Sequence, residues 1–66
     1  MQILVNGNTE EIPDGAKMAD LIEQLMLTGQ RLAVEVNEEL VPRSRLQEHR
    51  LAAGDRVEII HAVGGG

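Results

Sequence analysis

Only one segment of this chain carries a sustained helical period. Met18, Leu21, Ile22 and Leu25 fall at i, i+3, i+4 and i+7, so they line one side of a helix running from Met18 to Leu27. Asp20 and Glu23 lie near its expected start, where carboxylates favour the positive end of the helix dipole. Gly29 is placed to end it in a left-handed cap. Elsewhere the apolar residues alternate. With one main helix available to cover a sheet, the chain can build a single sheet whose one face that helix covers.

The alternating segments supply the strands. Met1 to Val5 puts Ile3 and Val5 on one face and Gln2 and Leu4 on the other. Asn6-Gly7-Asn8 is a hairpin signal, because Asn-Gly accepts the positive φ angles of a primed turn, and Thr9 to Ile12 returns as the second strand. Pro13-Asp14-Gly15 closes it. Leu32, Val34 and Val36 alternate with Ala33 and Glu35 as a third strand, and Asn37-Glu38-Glu39 turns the chain into a brief fourth at Leu40-Val41, cut by Pro42. Ser44 to Leu51 has room for one or two helical turns, Ala53-Gly54-Asp55 is a turn, and Arg56 to Val63 is the last strand. The fold class is α+β, with the last strand parallel to the first in the middle of a mixed sheet. Val57, Ile59 and Val63 are expected toward the helix with Ile3, Val5, Leu21, Leu25, Val34 and Val36. The domain is expected over residues 1–63, followed by a flexible glycine tail at 64–66.

Composition removes several function classes. The 66 residues form one domain that buries only about 60% of its unfolded surface. There is no cysteine, hence no disulfide framework and no thiolate nucleophile or ligand. Aromatic residues are absent too, which removes the stacking platforms of single-strand nucleic-acid binders. A net charge of −5 argues further against a phosphate-binding surface. No apolar run approaches the ~20 residues of a membrane span. A soluble, cytoplasmic, acidic domain is expected.

Catalytic side chains are scarce. His49 and His61 lie twelve positions apart in different elements, without metal-ligand spacing or an acidic cluster to complete a site. His61 reads as packed or half-exposed, and His49 as solvated. Ser44 suits a cap or turn better than a nucleophile, and Asn6-Gly7-Asn8 lacks the glycines of a phosphate loop. The chain is expected not to be an enzyme and to hold no metal or cofactor of its own.

What remains is the C-terminal carboxylate. Gly64-Gly65-Gly66 follows directly on the last strand, and glycine without a Cβ can pass a narrow channel in conformations other residues avoid. The alternatives are a frayed terminus or a cloning scar. With a reference pKa of about 3.3–3.7 the carboxylate is ionised and a poor electrophile. Adenylation by a partner's ATP would supply a leaving group, and a sulfur nucleophile from outside the chain could then leave a thiocarboxylate on Gly66. Beside the tail, Leu4, Ile60 and Ala62 are expected on the sheet face away from the helix, flanked by Gln2, Glu35 and Glu58. An apolar patch with a polar rim marks partner sites, although scattered surface aliphatics also occur without function.

The strand and helix order, the small size and the ending Val63-Gly64-Gly65-Gly66 resemble the ThiS/MoaD family of ubiquitin-like β-grasp proteins, and most closely its thiamine-biosynthesis sulfur carriers. Met1-Gln2-Ile3-Leu4-Val5-Asn6-Gly7 is similar to that family's first strand and turn. The stretch from Val36 to Arg43, with its Asn37 turn and Val41-Pro42-Arg43 run, is similar to its middle, and Gly54 to Ile60 to its final turn and strand. The resemblance covers essentially the whole chain. It implies that a ThiF-like adenylyltransferase uses Mg-ATP to adenylate Gly66, that a cysteine desulfurase or other donor provides sulfur, and that the Gly66 thiocarboxylate delivers it to thiazole synthase. The family's di-glycine maps onto Gly65 and Gly66, with Gly64 adding reach, and Arg43 is either a partner contact or a solvated arginine.

Three rival readings stay open at this point. The molybdopterin-synthase small subunit shares the expected fold, tail and chemistry, but its members tend to be longer and to carry core phenylalanines. A ubiquitin-like modifier that builds chains sits awkwardly with Lys17 as the sole lysine. The third is an interaction module with incidental glycines.

Overall fold

The computed structural model describes residues 1–61. Two hairpins flank a central strand. Strand β1 (Gln2–Val5) pairs antiparallel with β2 (Asn8–Glu11), and β3 (Leu32–Val36) pairs antiparallel with β4 (Glu39–Leu40). Strand β5 (Arg56–His61) lies between the hairpins, parallel to β1 and antiparallel to β3, giving the order β2-β1-β5-β3-β4. Helix α1 (Met18–Gln24) and a 3-10 turn (Arg43–Arg45) complete the elements. The mixed sheet with its parallel central pair is the arrangement expected from the alternation.

Both hairpins turn on an asparagine. Asn6 and Gly7 have φ of 50° and 84°, and Asn37 and Glu38 have φ of 52° and 71°. Positive φ at both central residues is the mark of the primed turn that fits the twist of a hairpin. The turn at Asn37-Glu38 admits Glu39 to β4, one residue earlier than the alternation alone indicates.

The core lies between the sheet and α1. Ile3, Val5, Val34, Val36, Val57 and Ile59 send their side chains inward against Leu21, all buried as expected; Leu25 is only half-buried. Met18 is buried with Leu21, and Ile12, Ala16, Val41 and Leu51 close the core from the loops. Val63 lies outside the described residues. The segment from Pro42 contributes 3-10 rather than α geometry, because Pro42 precedes a run held by i→i+3 bonds from Arg45 N–H to Pro42 O and from Leu46 N–H to Arg43 O.

Helix α1 is shorter than its apolar period suggests. The Asp20 carboxylate accepts from the Lys17 N–H at 2.8 Å, one half of a capping box. The other half is closed to Lys17, whose ammonium only donates. At the far end Met26, at φ 61°, takes the left-handed position; its N–H donates to Glu23 O and the Leu27 N–H to Ile22 O, each at 2.9 Å. That is a Schellman closure built on a methionine. Gly29, at φ 84°, serves the following turn instead of capping the helix. Glu23 therefore sits in the last turn, not near the start, where its charge opposes the dipole.

Candidate functional site

On the outer face of the sheet, away from α1, the side chains fall into rows fixed by register. Leu4 lies beside Arg56. The next row along β5 is Glu58, opposite Glu35, which is in turn opposite Leu40. The row after it is Ile60 opposite Ala33. Ile60 is 58% exposed, Leu40 66% and Leu4 37%, and Ala33 is exposed. Ile60 adjoins Ala33, and Leu40 lies beyond β3 and one row away, about 12 Å from Ile60 at the usual strand spacings, so the apolar positions Ile60, Ala33 and Leu40 are interleaved with Glu35 and Glu58.

Leu4 shares this face but not this patch. Its register partner Arg56 is four residues upstream of Ile60, which separates Leu4 from Ile60 by about 13 Å along the strand direction at the usual rise per residue. Arg56 also reaches Glu38, with Nη2 3.5 Å from Oε1. Arg43 belongs elsewhere: exposed, it lines an open groove of about 570 Å³ on the helix side, between Ile22 and Leu27 of the α1 end and Leu32 and Leu46. Ala62, Gly64, Gly65 and Gly66 lie outside the described residues. Leu40 and Ala33 were not singled out from the sequence, although the strict alternation of β3 and the Asn37-Glu38 turn together place both on the outer face.

β5 carries the chain toward its terminus and is braced from both sides. The Asn37 N–H donates to Arg56 O at 2.7 Å, and the Arg56 N–H to Asn37 Oδ1 at 2.9 Å. Asn37 Nδ2 also donates to Asp55 Oδ1 at 3.0 Å, and Asp55 Oδ2 accepts from the Ala52 N–H at 2.8 Å. On the other side Asn6 N–H donates to Val57 O at 2.8 Å. The Asn6 side chain then goes one step further, with Nδ2 donating to Ile59 O at 3.2 Å and Oδ1 accepting from the Ile59 N–H at 2.8 Å.

The two imidazoles are not brought into one site. His61 is exposed, not packed among Ile59 and its neighbours, and its Nε2 lies 2.7 Å from Gln30 Oε1. His49 is half-buried where a solvated side chain was expected, in the turn whose carbonyl accepts from the Met18 N–H at 2.7 Å. Among the described residues, no three His, Asp or Glu side chains are grouped to hold a metal ion, and no helix is long and apolar enough to cross a membrane.

At the opposite end of β1, the Met1 α-ammonium donates to Ile12 O at 2.6 Å and pairs with Glu11 at 2.9 Å and Asp14 at 3.1 Å. The hydrogen bond to Glu11, followed by that to Asp14, raises its pKa above the ordinary value.

Comparison with known proteins agrees with this architecture. The family model for the ThiS family matches residues 3–66. The sulfur carrier protein ThiS of Escherichia coli is 30% identical over 66 residues, covering 100% of both chains. A thiazole synthase from Paramagnetospirillum magneticum is also 30% identical over 66 residues, a match that covers 100% of this chain and 20% of that protein. Among solved structures, the thiamine biosynthesis protein ThiS from Geobacter metallireducens superposes with a TM-score of 0.83 at 26% identity, covering 100% of both chains.

Proposed function

The chain belongs to the ThiS family, and from that premise we propose that it carries sulfur as a thiocarboxylate on the C-terminal carbon of Gly66. It is a β-grasp sulfur carrier of thiamine biosynthesis and not itself an enzyme. The observation that supports the chemistry best is that the family match runs through the terminal glycines to Gly66 itself. In an adenylating partner, a Gly66 carboxylate oxygen attacks the α-phosphorus of ATP and pyrophosphate leaves. Hydrosulfide then attacks the acyl carbon and expels AMP, leaving –COS⁻. The partner supplies ATP and Mg²⁺, and a cysteine desulfurase or another donor system supplies the sulfur. Sulfur delivered as a persulfide is released as hydrosulfide when a second thiol of the donor system attacks the persulfide's inner sulfur and closes a disulfide. With no cysteine in the chain, the activated carbonyl has no internal thiol to divert it.

Thiazole synthase is the acceptor we propose. A relative bearing that name contains a segment similar to the whole of this chain, so in that protein the carrier-like part and the remainder are one polypeptide. Docking to the adenylating partner is assigned to the outer face around Ile60, Ala33 and Leu40, with Glu35 and Glu58 meeting basic groups of the partner. Gly64 and Gly65 give the tail its passage into the partner's active site.

The test is intact-protein mass spectrometry after incubation with a matched adenylating enzyme, ATP and a sulfur source. A fraction heavier by one oxygen-to-sulfur exchange, localised to Gly66, is expected. An unmodified mass under conditions in which a known carrier is converted rejects the reading.

A further inference from the structure

We infer that Asn6 is a positioning residue for Gly66: its side chain extends the sheet past the end of β1 and sets the direction in which β5 leaves it. This deepens the proposed function and rests on it. Along β5 the backbone groups alternate sides. Those of Arg56 meet β3-side partners, since the Asn37 N–H donates to Arg56 O, while those of Val57 and Ile59 meet the β1 side. The β1 backbone ends its contact with β5 where the Asn6 N–H meets Val57 O, and the chain then turns away through Gly7. Without a further partner, the N–H and C=O of Ile59 would face an empty sheet edge, and a polar backbone group left unpaired in a half-buried position is costly.

The Asn6 carboxamide fills that edge. One donor and one acceptor, both from a single side chain, bond the N–H and C=O of a single residue, as one more strand residue would. Asparagine can do this from a positive φ of 50°, which it tolerates better than other side chains and which the turn requires. Ile59 stands two residues before His61, beyond which the chain runs toward Gly66. On the β3 side the pairing continues to Leu32 opposite His61, so the Asn6 clamp is what balances the outer half of β5. Asn37 makes a comparable brace at the opposite end of β5, on Arg56. Asn37 bonds the first residue of β5, with its Nδ2 given to Asp55, whereas Asn6 bonds both backbone groups of Ile59 in the half of β5 that leads toward the C-terminus.

The test compares Asn6→Gly with Asn37→Gly. Glycine keeps both primed turns free of strain and removes only the side-chain brace. Adenylation of the full chain by its matched enzyme is followed by pyrophosphate release over a range of carrier concentrations. For Asn6→Gly, kcat is expected to fall on the order of tenfold or more while KM holds, since docking is unchanged but the tail is misaimed and small misplacements are expensive. Asn37→Gly is expected to keep kcat. Unchanged kcat for Asn6→Gly, an equal loss in both variants, or a change confined to KM overturns the inference.

Amide hydrogen exchange is the second arm. Asn6→Gly is expected to speed exchange at Ile59 and to leave Leu4 and Val41 protected, whose N–H groups donate to Asp55 O and Val34 O; uniform acceleration across the sheet marks a general stabilising bond and also overturns the inference. If Asn6→Gly does not fold, Asn6→Asp retains the acceptor for the Ile59 N–H and loses the donor to Ile59 O, and a partial loss of kcat is expected from it. If the wild-type chain is not adenylated, the proposed function fails, and the exchange pattern still decides whether Asn6 acts on β5 locally.

Discussion

Glu35 and Glu58 stand directly opposite each other across β3 and β5, two exposed carboxylates in register in the middle of the sheet's outer face. Like charges placed opposite on neighbouring strands destabilise a sheet. This pair is set beside Ile60, Ala33 and Leu40, an apolar surface that folding leaves open to water. The repulsion costs the isolated chain stability and the exposed apolar surface adds none; a partner with an apolar patch and basic groups would relieve the one and bury the other.

Glu58→Lys separates these two roles. In the free protein it replaces a repulsion with an attraction to Glu35, and unfolding in urea is expected to show a gain of about 0.5–1 kcal/mol. Binding to the adenylating enzyme is expected to weaken, with a slower association rate and a shallower salt dependence. A variant that is both more stable and equally well bound would remove Glu58 from the interface.

Ile60→Asp and Leu4→Asp tell apart the two apolar positions on the outer face. Ile60 sits with Ala33 and Leu40, whereas Leu4 is beside Arg56, four residues away along β5. Ile60→Asp places a third carboxylate next to Glu58 and is expected to weaken docking about tenfold or more, equivalent to ~1.4 kcal/mol. Leu4→Asp is expected to have a smaller effect on the same titration. Equal losses would extend the interface across the whole face.

Much of this molecule was legible because burial follows simple periods. The alternation of Ile3 and Val5, of Val34 and Val36, and of Val57 and Ile59 gave the inner face, and the remaining positions gave the outer one. Asn6-Gly7 announced its hairpin through the residue types that a primed turn demands. The end of α1 was not legible. Gly29 is the natural cap by type, but the helix closes three residues earlier on Met26, where local hydrogen bonding outweighs the preference for glycine. The contiguity of the patch was also hidden, because a parallel register between β1 and β5 depends on contacts distant in sequence. Leu4 and Ile60 share a face in any register that keeps Ile3, Val5, Val57 and Ile59 inward, but only the pairing shows how far apart they are.

Met26→Gly follows from that helix end. Met26 has φ 61° and is 85% exposed, so it contributes left-handed strain and little packing. A non-glycine residue pays roughly 1–2 kcal/mol for this conformation, partly offset on replacement by the larger entropy glycine loses on folding. A net gain of about 0.5–1 kcal/mol is expected in urea unfolding, with no change in adenylation, since Met26 follows α1 on the covered side of the sheet and not on its outer face. A loss of stability would mean that the Met26 side chain packs in solution.

The Met1 α-ammonium makes stability depend on pH. Its contacts to Glu11, Asp14 and Ile12 O favour the charged form, so the pKa in the folded chain lies above its unfolded value of about 8. A raised folded pKa gives a stabilisation that is complete below about pH 8 and is lost as pH rises through the folded value. Unfolding midpoints measured from pH 7 upward are therefore expected to fall once pH passes about 8. Acetylation of Met1 removes the charge, and it is expected to lower the midpoint at pH 7 and flatten this pH dependence. The ammonium is linked to the N–H and C=O edge of β1 and β2 through Ile12, whose N–H donates to Met1 O at 2.9 Å. The loss should therefore speed hydrogen exchange first at Ile12 and leave Ile59 unaffected. An acetylated chain with the same midpoint and the same pH profile would show that the three contacts are no better than those the ammonium makes with water.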